Sequence, residues 1–161
     1  MSYRKGLAVT AAIAVLGLVS IPAAQASAAT PEFAVQNAAN SNIRGGYNAY
    51  SRGDYKIAKT FNVRATAKGI KKSRRSIAYS NLCATLGQLN TLDAAQDACN
   101  LAVKMDPNNW RALNNRGVIN YLAGEKDAAM ADFTTAAGSS DAALAQANAD
   151  LLAGTKLATS E

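Results

Sequence analysis

The chain contains no histidine, the side chain that most often serves as a general base or as a transition-metal ligand. Its two cysteines are too few for a structural zinc site, and its acidic residues lack the spacing of a calcium-binding loop. No nucleophile–base pair is recognisable in the sequence either. These absences predict a non-enzymatic protein without metal or cofactor, and they favour a binding role.

Proline and aromatic residues are also scarce. The chain has three prolines, aromatics make up 6% of its residues, and alanine is abundant. This composition suits closely packed helices and fits a β-sheet protein poorly. The composition therefore predicts an all-α fold.

The first residues have the features of a secretory signal peptide. Arg4 and Lys5 precede an apolar run over residues 7–21, and small residues follow that run. The run of about 15 residues is shorter than the roughly 20 that cross a bilayer, which favours cleavage over anchoring. Cleavage after Ala26 and after Ala28 both fit the small-x-small pattern.

We therefore predict a signal peptide over residues 1–26 and a mature chain without a membrane span. The mature protein is expected in the periplasm or outside the cell. Export also disfavours nucleic acid as a partner.

The chain matches itself at a shift of 34 residues when residues 76–109 are laid over residues 110–143. A helix-forming unit of that period predicts a stacked α-solenoid, in which each repeat buries its apolar face against its neighbours. Identical residues recur in the pairs Ala78 and Ala112, Asn81 and Asn115, Asp93 and Asp127, Ala94 and Ala128, Ala95 and Ala129, and Ala102 and Ala136.

Apolar periodicity predicts seven helices after a flexible leader at residues 27–37. Turn signals such as Arg52-Gly53-Asp54, Asp106-Pro107-Asn108 and Gly124-Glu125 separate the helices. The helices are expected near residues 38–51, 55–68, 75–89, 93–105, 109–123, 126–138 and 141–158.

Residues 110–137 resemble a tetratricopeptide repeat, a helix–turn–helix unit of 34 residues. With Trp110 as position 1, the family's small residue at position 8 is Gly117, and the turn is Gly124-Glu125. The family's alanines at positions 20 and 27 are Ala129 and Ala136, whereas Asp141 stands where the family has proline.

The preceding copy is similar, and a third copy lies upstream with Gly46 at position 8 and Gly53-Asp54 at the turn. The resemblance implies a right-handed α-solenoid of about three repeats with a C-terminal capping helix. The implied helical domain covers residues 38–158, with repeats at about 39–75, 76–109 and 110–143 and the capping helix at 141–158.

The two cysteines occupy positions 8 and 24 of one repeat, Cys83 and Cys99. In an antiparallel helix pair that turns near position 16, these positions lie at the same height, so the two side chains should face each other. In an oxidising compartment a disulfide is the expected result. Two buried free thiols are the alternative.

The family's concave groove is usually lined by positions 2, 5, 9, 12 and 13 of each first helix. Carried over to this chain, the resemblance implies a lining of Asn40, Ile43, Tyr47, Tyr50, Ser51, Ile77, Ser80, Ala84, Gly87, Gln88, Arg111, Asn114, Val118, Tyr121 and Leu122. Such a groove would bind an extended protein or peptide through aromatic anchors and hydrogen-bond donors. The residues expected to contact the partner are Tyr47, Tyr50, Arg111, Asn114 and Tyr121.

Charge is distributed unevenly along the chain. Residues 44–75 contain ten Lys or Arg and one acid, whereas residues 76–161 contain five basic and nine acidic residues. An alternative function is therefore the binding of an anionic envelope surface, such as lipopolysaccharide, phospholipid or an acidic protein, by residues 56–75. A solvated helix face is the simpler interpretation. The expected contact is the link at residues 68–75, which contains Lys68, Lys71, Lys72, Arg74 and Arg75.

Overall fold

The fold is all-α, as predicted. A computed structural model describes residues 29–158, with side chains described through residue 154, and no strand occurs in that range. The predicted signal peptide lies outside the described residues. The two predicted cleavage sites, after Ala26 and after Ala28, also precede them, and Ala29 is the first described residue. The helices are α1 (Ser41–Ser51), α2 (Tyr55–Ala65), α3 (Lys72–Gln88), α4 (Leu92–Met105), α5 (Trp110–Leu122), α6 (Lys126–Ala137) and α7 (Ala143–Ala158).

The turn inside each helix pair contains a residue that tolerates a left-handed backbone. Gly53 (φ 80°) joins α1 to α2, and Gly124 (φ 87°) joins α5 to α6. Asn90 (φ 55°) occupies the matching turn between α3 and α4, where the sequence departs from glycine. Asparagine is the replacement that a left-handed position tolerates best, so this departure preserves the turn.

Two helix starts differ from the prediction by three residues, and each has a local cause. Helix α1 begins at Ser41 rather than near residue 38, because the Asn40 side chain caps it by accepting hydrogen bonds from the N–H groups of Asn42 and Ile43. Helix α3 begins at Lys72, three residues earlier than expected. Lysine and arginine are good helix formers, so Lys72, Arg74 and Arg75 belong to a helix rather than to a link.

The helices form two layers. Each helix packs against the next one in the chain, and α1, α3, α5 and α7 also contact one another in that order. In the described part of the chain, α2, α4 and α6 make no contacts with one another. We call the odd-numbered helices the inner layer and the even-numbered helices the outer layer.

Within each helix pair, one inner residue meets one outer residue 16 positions later. A Cβ added at Gly117 would lie 2.6 Å from Phe133 Cε1, and one added at Gly46 would collide with the side chain of Asn62. The third pair is Cys83 and Cys99, fully buried and joined by a disulfide with a Cα–Cα distance of 5.2 Å. The predicted disulfide is confirmed, and such a bond is typical of an oxidising compartment.

No helix in the described range is long and apolar enough to cross a membrane.

Candidate functional site: an asparagine row that holds an extended segment

Three buried asparagines stand one behind another on the inner layer. They are Asn81 on α3, Asn115 on α5 and Asn148 on α7, each at most 3% exposed. Asn81 and Asn115 are 34 residues apart, and Asn148 follows after 33 more. We call these three residues the asparagine row.

Each member of the row binds both main-chain groups of one residue in the segment before α1. The Glu32 N–H donates to Asn148 Oδ1 at 3.0 Å, and Asn148 Nδ2 donates to the Glu32 carbonyl at 2.9 Å. Asn115 pairs in the same way with Ala34 at 2.7 and 2.8 Å. Asn81 pairs with Gln36 at 2.9 and 2.7 Å.

These pairings define the conformation of residues 30–37, which we call the inner segment. Main-chain groups of residues two apart lie on the same edge of an extended chain, so bonds at residues 32, 34 and 36 require an extended backbone. The inner segment therefore crosses the inner layer from α7 to α3. The prediction of a flexible leader over residues 27–37 does not describe it, because its hydrogen-bond partners lie 45 to 116 residues further along the chain.

Neighbouring polar groups complete the row. Asn114 Nδ2 donates to the Glu32 carbonyl at 3.0 Å, and Asn148 Nδ2 donates to Asn114 Oδ1 at 2.8 Å. Asn115 Nδ2 is also within 3.1 Å of the Ser80 carbonyl and of Ser80 Oγ. The buried amides are thereby satisfied, as buried polar groups must be.

Side chains of the inner segment enter the apolar core on either side of this backbone. The Phe33 ring lies against Gly87 and Ile119, and a Cβ at Gly87 would collide with the ring. Ala34 packs with Trp110 and Leu113. Glycine at position 87 therefore makes the space that Phe33 occupies.

An open cavity of about 510 Å³ remains beside the inner segment. Burial raises the pKa of Tyr50, one of its lining residues, to about 12, although a hydrogen bond from Gln88 Nε2 at 3.4 Å opposes the rise. Tyr50 is therefore neutral at physiological pH. The cavity is lined by Thr30, Pro31, Glu32, Phe33, Tyr50, Tyr55, Gly87, Gln88, Asn90, Val118 and Leu122.

The five predicted partner-binding residues do not form one cluster. Tyr50 lines the cavity, whereas Asn114 is fully buried and already bonded to Glu32 and Asn148. Arg111 stacks over the Trp110 ring at 4.2 Å and forms a 3.6 Å ion pair with Asp141. Tyr121 packs against the cluster around Phe133, and Tyr47 is half-buried on α1.

The predicted basic residues lie on the surface near α2. Lys68, Lys71 and Lys72 are exposed, and Arg74 and Arg75 are half-buried. No ion pair forms at any of these five within the described residues. Two apolar side chains stand among the neighbouring cations of α2, Ile57 at 50% and Val63 at 49% exposure.

The sequence-based prediction missed the role of the asparagine row and of the inner segment. One signal was present, because Asn81 and Asn115 are identical residues at the 34-residue shift. Comparisons of the chain with known protein families and with curated proteins find no match.

Proposed function

We propose that this chain is an exported, non-catalytic scaffold that binds an extended segment of a protein partner on its inner layer. Its architecture in this proposal is a right-handed, tetratricopeptide-like solenoid of three helix pairs and a capping helix. The inner layer then forms the concave groove, and α7 closes its end.

The observation that carries the proposal is the way the asparagine row holds the inner segment. Each amide bonds to an N–H and a C=O, groups that every residue except proline offers. The row is filled by the inner segment, so a partner's extended chain would lie beside that segment, where the cavity next to Phe33 leaves room for its side chains. The inner segment thus exemplifies the kind of ligand that this surface suits.

The cavity lining favours binding over catalysis. Its titratable side chains are Glu32, Tyr50 and Tyr55, and Tyr50 is kept neutral by burial. None of the lining side chains is a histidine, cysteine or lysine that could act as a nucleophile or base at neutral pH.

The repeated turns at Gly53, Asn90 and Gly124 and the three inner–outer contacts support the solenoid. The disulfide supports export, because such bonds persist in oxidising compartments. Together with the N-terminal charge and apolar pattern, it favours the periplasm or the cell exterior.

A display library of random octapeptides, panned on the mature protein, tests the proposal. We expect enriched peptides whose binding weakens about tenfold with Leu122→Ser, which removes an apolar wall of the cavity. The matched control is Leu101→Ser, because Leu101 is similarly exposed at 39% but lies on α4, outside the cavity. Absence of any enriched peptide, or equal weakening by both variants, would contradict the proposed function.

A second candidate function has a specific observation in its favour. No acidic residue occurs between Asp54 and Asp93, and the exposed face of α2 combines Lys56, Lys59 and Arg64 with Ile57 and Val63. Cations interleaved with apolar side chains suit the surface of an anionic phospholipid bilayer. In this second proposal α2 touches the bilayer and leaves the groove accessible.

A further inference from the structure

The asparagine row uses only one edge of the inner segment. In an extended chain, the N–H and C=O groups of successive residues point to opposite edges. The main-chain groups of Glu32, Ala34 and Gln36 point at the inner layer. The N–H and C=O groups of Phe33 and Val35 therefore point away from it.

The outward edge is unpaired. The main-chain N–H and C=O groups of Phe33 and Val35 form no hydrogen bond with any described residue. Both residues are only half-buried, and the cavity opens beside Phe33. Four main-chain groups in strand geometry therefore remain available at the surface.

We infer that an extended peptide binds by adding to this edge as a β-strand, with alternate side chains in the cavity lined by Tyr50, Val118 and Leu122. This inference rests on the proposed function and specifies how the partner is held. An unpaired strand edge is a template for a second chain, and strand addition is a recurring mode of peptide recognition. The inner segment thus serves as a permanently bound first strand, and the partner is the second.

The chemistry of the edge determines which partner fits. Main-chain pairing accepts many sequences, so selectivity comes from the side chains that enter the cavity. The cavity is lined by aromatic and aliphatic side chains together with Glu32, Gln88 and Asn90, so at every second position of the peptide it favours apolar side chains that also carry a hydrogen-bonding group. A free, extended peptide is the expected occupant, because its main chain can pair with the unpaired groups of Phe33 and Val35 while its alternate side chains enter the open cavity of about 510 Å³ beside Phe33.

Proline at position 35 tests the edge directly. Val35→Pro removes the outward N–H but leaves the groups bonded to the asparagine row, and proline is tolerated where a strand N–H faces outward. The matched control is Val35→Ala, which trims the side chain and keeps the N–H. With a peptide selected from the octapeptide library, we expect Val35→Pro to weaken binding at least about tenfold and Val35→Ala less than about threefold.

Methylation of the peptide gives an independent test that needs no variant protein. N-methylation at successive positions should weaken binding at every second residue only, because alternate N–H groups face the edge. Amide hydrogen exchange at Ala34 and Gln36 verifies that the inner segment stays in place in Val35→Pro.

The possible outcomes separate this inference from the proposed function. Library peptides that bind wild type and Val35→Pro equally, and that tolerate methylation everywhere, would overturn strand addition while the groove-binding function stands. A wild-type dimer that Val35→Pro dissociates would make a second copy the occupant and would also overturn the inference. If the library yields no enriched peptide, the proposed function itself is contradicted.

Discussion

At the scale of single residues, the chemistry of asparagine explains the inner segment. The side-chain amide presents one donor and one acceptor side by side, which matches the N–H and C=O of one peptide residue. Aspartate at the same place could only accept when ionised, and serine has a single hydroxyl. Removing a buried asparagine would leave the segment's own N–H and C=O unsatisfied, at a cost of about 1–3 kcal/mol for each group.

Gly87 leaves the space that the Phe33 ring occupies, so a larger residue at position 87 should destabilise the protein. A side chain at this position would collide with the Phe33 ring and lie 2.9 Å from Ile119 Cδ1. We expect Gly87→Val to lower the free energy of unfolding by about 1–3 kcal/mol through overpacking. Urea denaturation measures the change.

A double-mutant cycle identifies the cause. In the background Phe33→Ala, Gly87→Val should cost less, because the colliding ring is gone. Gly154→Ala is the control, since an added Cβ there meets nothing within 4 Å. An unchanged cost in the Phe33→Ala background would place the strain elsewhere.

At the scale of elements, the pair formed by α3 and α4 is the centre of the molecule. Its inner–outer contact is the disulfide, where the neighbouring pairs have Gly46 with Asn62 and Gly117 with Phe133. Gly46 and Gly117 must be small because a larger side chain at either place would collide with Asn62 or Phe133 of the outer helix. In this pair a covalent bond therefore joins the two helices at the point where the other two pairs have a van der Waals contact.

We expect the double variant Cys83→Ala/Cys99→Ala to lose about 3 kcal/mol of unfolding free energy, the amount that closing a loop of this length contributes. Removal of two buried side chains can add to this loss. Urea denaturation with and without reductant measures it. Reductant should destabilise the wild type and leave the variant unaffected, and a wild type insensitive to reductant during unfolding would contradict the prediction.

At the scale of the whole molecule, charge is separated along the chain. The ten basic residues of positions 44–75 surround α2 and the start of α3, whereas the following helices carry more acids than bases. Ion pairs such as Arg116 with Asp132 at 2.6 Å use some of the later charges, while the cations of α2 form none within the described residues. The first helix pair is therefore the positive end of the molecule.

The bilayer hypothesis predicts binding to vesicles that contain about one-third phosphatidylglycerol in phosphatidylcholine, measured by co-sedimentation. Each cation near such a surface contributes about 1 kcal/mol, so Lys56→Gln/Lys59→Gln should weaken binding more than about tenfold. The control with the same charge change is Lys104→Gln/Lys126→Gln, on exposed residues of other helices. Salt should weaken the interaction, because exposed charges are screened beyond about 8 Å at physiological ionic strength. Equal binding to neutral vesicles would refute the hypothesis.

The amino-acid sequence by itself determined the helices, the turns between them and the facing cysteines. These features depend on local periodicity, on residues that tolerate a left-handed backbone, and on a 34-residue spacing that repeats the same contact. Cys83 and Cys99 could be paired because both lie within one helix pair. The prediction failed at the start of α3, where basic residues suited a link and a helix equally.

Only the tertiary structure decided the place of the inner segment and the lining of the cavity beside it. Residues 30–37 have no helical periodicity, and their bonds reach partners on three different helices, so nothing local indicates where they lie. For the same reason Asn114 was predicted to contact a partner, although it is buried against Glu32. The three asparagines can bind the inner segment together only when α3, α5 and α7 lie side by side. That arrangement comes from helix packing rather than from local sequence.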